Sequence, residues 1–197
     1  MSFLLGLTGS IGMGKSTTAQ LFVDQGCALW DADAAVHRIY AENGAAVAPL
    51  GRIFPQATRT GAVDRAVLKE IIANDPGALK QIEAVVHPLV AEDRNRFRAE
   101  ARADILVFDI PLLFETGGDA AMDAVACVSV PPETQQARVL ARGTMTQAQF
   151  EMIRAKQMPD AEKRARADYV IVTDTMEHAR QQVRDIVDQI RRQPDHA

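Results

Sequence analysis

The run Gly9-Ser10-Ile11-Gly12-Met13-Gly14-Lys15-Ser16 has the spacing G-x-x-x-x-G-K-[ST]. The apolar stretch Phe3-Leu4-Leu5-Gly6-Leu7 before it reads as a buried strand, and residues 17–25 after it read as a helix with Leu21 and Phe22 inward. A turn of this kind joins the carboxyl end of a strand to the amino end of a helix, so the chain is committed to an α/β sheet. The chemistry explains the spacing. Glycines let the backbone curl round phosphates and aim its N–H groups at them, while the helix N-terminus adds positive potential. Lys15 is expected to reach the β- and γ-phosphates and the Ser16 hydroxyl to ligate Mg²⁺, which predicts a nucleoside triphosphate as ligand.

Further strands recur between helical segments. Residues 27–30 form a short apolar run ending in Asp31-Ala32-Asp33, followed by a helical pattern over 34–42. Ligands gather beyond the carboxyl ends of strands in an open parallel sheet, so this acidic pair is expected near the phosphate loop. Residues 43–61 read as loop with short helical pieces, 63–73 as a helix, and Asp75-Pro76 as the start of another running to 86. His87-Pro88 is expected to interrupt it, with a further helix over 88–103.

The sheet is predicted to resume at 105–109, an apolar run closed by Asp109, and then at 125–130 and 169–172. Helices are expected from Pro132 to about 142, over 147–157 behind a Thr146–Gln149 capping box, and over 176–192. The expectation is a five-stranded parallel sheet flanked by helices. Residues 1–33 and 104–197 would form the nucleotide-binding core, with a lid at about 142–158, and residues 34–103 a mainly helical insertion that receives the acceptor.

Phosphoryl transfer asks for alignment, cations, Mg²⁺ and one acceptor-orienting base. Arg138 and Arg142 lie four apart on one helix face, either projecting towards a triphosphate or forming a solvated, salt-bridged surface. Asp33, just past a strand end, is the base candidate; capping the helix that follows is its other role. Asp31 orients the loop or meets metal through water, and Asp109 is either a metal ligand or a turn cap. His87 suits a structural corner or a phosphate or hydroxyl contact, and His37, His178 and His196 carry no assigned role.

Composition narrows the classes. A formal net charge of −4 argues against a nucleic-acid-coating surface. Cys27 and Cys127 sit beside apolar runs without zinc spacing and read as reduced core thiols. The amino terminus runs directly into the first strand, and no apolar stretch approaches membrane length, so a cytoplasmic location is expected.

Taken in order, these signals resemble the dephospho-CoA kinases, along nearly the whole chain. The resemblance is carried by 6–17, Asp31-Ala32-Asp33, Asp64-Arg65 with Leu68, His87-Pro88, Pro111-Leu112-Leu113-Phe114-Glu115, Arg138 with Arg142, and 167–171. It implies ATP-dependent transfer of the γ-phosphoryl to the ribose 3′-hydroxyl of dephospho-CoA, the last step of coenzyme A synthesis. It further implies Asp33 as base, Lys15 and Arg142 as catalytic cations, and nucleotide contacts from Gly9, Gly12, Met13, Gly14, Lys15, Ser16, Thr17 and Arg138. Acceptor contacts would come from Asp31, His87, Pro111 and Leu113, and metal contacts from Ser16 and Asp109.

The sequence departs from the family pattern twice. Gly143-Thr144-Met145 follows Arg142 where the family commonly has Asp, and Thr173-Asp174-Thr175 stands where it often has an Asn-Gly-like turn near the adenine. Two rivals use the same loop. A small kinase of nucleosides, nucleotides or another metabolite differs only in acceptor features. A GTP-binding switch would need an N-K-x-D guanine motif and a D-x-x-G segment, whereas Asp109 is followed by Ile110-Pro111-Leu112.

Overall fold

A computed structural model of the chain describes residues 2–193; His196 lies outside them. The fold divides into two compact units, Met1–Trp30 with Ala101–Ala197, and Asp31–Glu100.

The first unit is built on the sheet. Its elements are β1 (Phe3–Thr8), α1 (Lys15–Asp24) and β2 (Ala28–Asp31, whose last residue opens the second unit). After the second unit come β3 (Ile105–Asp109), β4 (Ala124–Ser129), α6 (Pro132–Ala141), α7 (Gln147–Lys156), α8 (Asp160–Arg166), β5 (Tyr169–Val172) and α9 (Met176–Arg191). The five strands lie in the order β2-β3-β1-β4-β5, a parallel sheet with helices flanking it. Leu5 stands opposite Val107 on one side and Ala124 on the other, and Ala126 opposite Tyr169. Central strands covered on both faces must be apolar throughout, and every residue of β3 and β4 is buried.

One core cluster joins Leu5 and Leu7 to Leu21 and Phe22 of α1 and to Val183, Ile186, Val187 and Ile190 of α9. Strand alternation turns Gly6 the other way, against Leu113 of the loop after β3. There Leu113, Phe114 and Val125 form a second cluster with Met158 and Ala167 against it. The absent side chain at Gly6 is what lets that loop lie on the strand.

The second unit is helical: α2 (Ala32–Tyr40), α3 (Val47–Ile53), α4 (Arg65–Asn74) and α5 (Ala78–Glu100). Its own core includes Ile39, Leu50, Phe54, Leu68, Ile82 and Val86. Asp93, 6% exposed, is held by Arg38 of α2 at 2.5 Å and by Arg96 at 3.0 Å.

Four boundaries differ from the sequence expectation. Helix α5 runs unbroken through His87-Pro88. Pro88 has no N–H to give the carbonyl of Ala84, yet it lies on an exposed face, and burial of Ile82 and Val86 before it and Asp93 after it holds the helix together. Asp75-Pro76 is a turn ahead of α5, with the Asp75 carboxylate accepting from the Gly77 N–H at 2.8 Å. Helix α2 begins earlier, at Ala32, and its cap is Asp31. Helix α8, with its basic last turn, has too little apolar spacing to stand out in the sequence.

A Cβ at Gly6 would come to 2.6 Å from Leu113 Cδ2. Gly6→Ala is therefore expected to cost about 1–3 kcal/mol of stability. Denaturant unfolding of Gly6→Ala, Leu113→Val and the double variant should give a coupling of at least about 0.5 kcal/mol in favour of the double.

Candidate active site

The chain leaves β1 at Thr8 and re-enters regular structure at Lys15, and the intervening turn depends on glycine. Gly12 has φ 79° and Gly14, the residue before α1, φ 92°, a region that side-chain-bearing residues avoid. A Cβ at Gly14 would also sit 3.0 Å from Thr173 Oγ1.

Protein donors take up the carbonyls of this loop. The Ser10 oxygen accepts from Met13 N at 3.2 Å, Ile11 from Gln135 Nε2 at 2.8 Å, Met13 from Thr173 Oγ1 at 2.7 Å, and Gly14 from Thr18 N at 3.0 Å. Four carbonyls are thus turned to partners inside the fold, which leaves fewer acceptors facing an anion at the N-terminus of α1. The Ile11 N–H donates to Gln157 Oε1 at 3.1 Å. Met13 is 2% exposed and its sulfur accepts from Val130 N at 3.2 Å, so its side chain does not meet a nucleotide.

Lys15 begins α1, and its ammonium pairs with the carboxylate of Asp109, 1% exposed at the carboxyl end of β3. Ser16 and Thr17 follow, both exposed. The Asp109 carboxylate and the Ser16 hydroxyl are hard oxygen donors of the type Mg²⁺ takes.

A cavity of about 260 Å³ opens beside the loop, lined by Gly14, Thr17, Arg138, Arg142, Thr173 and Met176 among others. Arg138 and Arg142, paired by helical spacing in the sequence, thus meet the phosphate loop here. Arg138 is held in place: Nη1 donates to Thr173 Oγ1 at 3.0 Å and Nη2 to the Thr173 carbonyl at 2.6 Å. The Thr173 hydroxyl has one proton, which goes to the Met13 carbonyl, and accepts from a guanidinium that can only donate. Its orientation is therefore set by chemistry, and one side chain ties Arg138 to the phosphate loop. Arg142 caps the end of α6, exposed.

Asp31 caps α2, with Oδ1 accepting from Ala34 N at 2.8 Å, whereas Asp33 is exposed in the first turn. The capping role expected of Asp33 thus belongs to Asp31. Both residues belong to the helical unit, as does His87, which is exposed on α5 and not at a loop corner. Pro111 is half-buried, and its carbonyl takes Thr8 Oγ1 and Lys163 Nζ, each at 3.1 Å. Leu113 is fully buried in the cluster beneath the loop, while Leu112 is 42% exposed.

Burial pushes the Cys27 thiol to about 11 and the Cys127 thiol to about 12, so neither is a nucleophile at neutral pH. Sequence reasoning passed over Gln157, Lys163, Glu115 and Thr173 as working residues. Only Glu115, within the 111–115 motif, and Thr173, as a departure, drew notice there.

The family model described as Dephospho-CoA kinase matches residues 3–178. A Dephospho-CoA kinase of Ruegeria pomeroyi is 76% identical over 191 residues, covering 97% of each chain. Among solved structures, TT1252 from Thermus thermophilus is 32% identical with a TM-score of 0.84, covering 95% of this chain and 97% of that one. A Dephospho-CoA kinase from Campylobacter jejuni is 26% identical with a TM-score of 0.69, covering 96% and 98%.

Thr173→Val keeps the shape of the side chain and removes the hydroxyl, leaving Arg138 and the Met13 carbonyl each short of a partner. It is expected to weaken nucleotide binding about tenfold, or about 1.4 kcal/mol, with Thr173→Ser close to wild type. Calorimetric titration with ATP checks both.

Proposed function

The chain belongs to the dephospho-CoA kinase family, and we propose how its residues carry out the reaction that membership entails. It transfers the γ-phosphoryl of ATP to the ribose 3′-hydroxyl of dephospho-CoA, giving coenzyme A and ADP, the final step of coenzyme A biosynthesis. The observation that carries this reading is the likeness along nearly the full chain, since a phosphate loop by itself is common to kinases of many acceptors.

In this reading the phosphate-loop amides and Lys15 hold the β- and γ-phosphates. Lys15 is already oriented by Asp109 at the strand end, so little reorganisation is needed as charge builds up. Ser16, with the Asp109 carboxylate that pairs with Lys15 as a further oxygen donor, would hold Mg²⁺, which would supply charge neutralisation for the transferring group. Arg138, fixed by Thr173, serves the nucleotide, and Arg142 at the mouth of the lid serves the phosphoryl group in flight.

Asp33 accepts the proton of the attacking 3′-hydroxyl as the new P–O bond forms and the bond to ADP breaks. Two facts support it: Asp33 follows the end of β2 by two residues, and capping falls to Asp31, which leaves the Asp33 carboxylate exposed. The helical unit takes the acceptor, with exposed His87 as a polar contact. On the loop after β3, exposed Leu112 offers apolar surface while Leu113 supports it from beneath. Residues 142–158 close as a lid to keep water from the γ-phosphate. Two free, buried thiols fit a reducing compartment, and the cytoplasm is the site of action in this reading.

The test is ADP formation from ATP and Mg²⁺ with dephospho-CoA, beside AMP, adenosine and no acceptor, with the position of the new phosphate checked. Turnover with dephospho-CoA alone is expected; faster phosphorylation of AMP or adenosine would overturn the acceptor assignment. Asp33→Asn should lower kcat by about 10²–10³ with ATP affinity within about threefold, whereas Lys15→Ala should damage both. Near-full turnover of Asp33→Asn would remove it from the base role.

A further inference from the structure

Lys163 is fully buried, an unusual place for an ammonium group, and nothing in the mechanism above uses it. Its Nζ pairs with Glu115 Oε1 at 2.9 Å and donates to the Pro111 carbonyl at 3.1 Å. The same carbonyl takes the hydroxyl of Thr8, the last residue before the phosphate loop. Glu115 Oε1 also accepts from the Met158 N–H at 2.9 Å. Burial alone would raise the Glu115 carboxyl, but the bonds from Lys163 and from backbone N–H groups outweigh it and hold the carboxyl below its ordinary value. The platform beneath Lys163 is itself fastened, because Asp160 at the start of α8 accepts from Ser129 Oγ of β4 at 2.8 Å.

Met158 is the residue where the lid segment rejoins the core, and its neighbour Gln157 bonds to the Ile11 N–H of the phosphate loop. Two consecutive residues are therefore tied down, one through Glu115 to Lys163 and the other to the phosphate-binding backbone. A methionine would fill the volume of Lys163 at lower desolvation cost. What the lysine adds is direction: it binds two particular oxygens on the loop after β3, and one of them holds the lid's exit.

We propose that Lys163 is a positioning residue for phosphoryl transfer, acting through Glu115 to pin the lid's carboxyl-terminal hinge so that Gln157 stays on the Ile11 amide. The inference rests on the reading of residues 142–158 as the lid. Closure of a lid whose exit is fixed swings about one point and returns α7 to one register over the loop. With the exit loosened, the lid closes in several registers and fewer closures are productive. Of the groups that hold the nucleotide, Lys15, Arg138, Thr173 and the loop amides, the anchor touches only the Ile11 N–H, through Gln157.

The test compares Lys163→Met, Glu115→Gln, Gln157→Leu and Lys163→Met/Gln157→Leu with wild type. Readouts are kcat per folded enzyme with dephospho-CoA, ATP affinity by titration, and ADP formed per acceptor phosphorylated. Lys163→Met is expected to lower kcat at least about tenfold with ATP affinity within about threefold, and to raise the ADP-to-product ratio above one. Gln157→Leu should match it, and the double variant should fall no more than about twofold below either, because both act on one hinge. If Lys163→Met does not fold, Glu115→Gln and Gln157→Leu carry the test with the same expected signs.

Lower thermal stability with unchanged kcat and unchanged coupling would overturn the proposal and leave Lys163 a structural group. So would fully additive losses. Wild type without acceptor-dependent turnover would overturn the functional reading and this inference with it. Wild-type turnover beside unimpaired variants would overturn the inference alone.

Discussion

The pairing of Lys15 with Asp109 is the constraint around which the nucleotide-binding unit is arranged. A carboxylate 1% exposed at the end of a central strand needs a cation, and the lysine that opens α1 supplies one. The pair fixes the amino end of that helix against β3, and the loop from Thr8 to Lys15 must then close the gap with whatever backbone angles remain. Those angles are left-handed at Gly12 and Gly14, which is why glycine stands at both. Catalytic charge and fold are thus held by one contact: the residues that will meet phosphate also seat the helix on the sheet.

A loop that offers its N–H groups to an anion must dispose of its carbonyls. Here four are taken up by donors from four different places, Met13 within the loop, Gln135 on α6, Thr173 after β5 and Thr18 on α1. The loop is therefore oriented by elements far away in sequence, and its binding geometry is a property of the unit and not of the octapeptide. Thr173 shows the economy of this arrangement, since its hydroxyl donates to the loop and accepts from Arg138. A family member with a different side chain at this position must connect the arginine to the loop in another way.

The helical unit is organised round a different charge. Asp93 is buried between Arg38 and Arg96, and the apolar stripe of α5 continues on both sides of Pro88. Both units thus contain a nearly buried carboxylate paired with a cation from another segment, Lys15 in one and Arg38 in the other. Such pairs specify register more than they add stability, because an apolar contact of equal size would desolvate less charge.

Much was legible in the chain before any coordinates. The phosphate loop, the five strands, the Thr146–Gln149 capping box and the amphipathic closing helix are local patterns, and local patterns follow from glycine angles, side-chain alternation and helical spacing. The one-turn spacing of Arg138 and Arg142 puts them on one face, and both line one cavity. Where the structure departs from local expectation, packing is the reason. Pro88 is kept within α5 by burial on either side, the α2 cap moved from Asp33 to Asp31, and Leu113 went into the core because Gly6 leaves room for it. Lys163, Glu115 and Gln157 lie between 43 and 146 residues from the partners their side chains bind. The sequence by itself determined the sheet, the phosphate loop and the kind of chemistry it serves, because those depend on neighbours along the chain. Only the tertiary structure decided which polar groups hold that loop and its lid in place, because hydrogen bonds between distant segments have no spacing that a sequence can display.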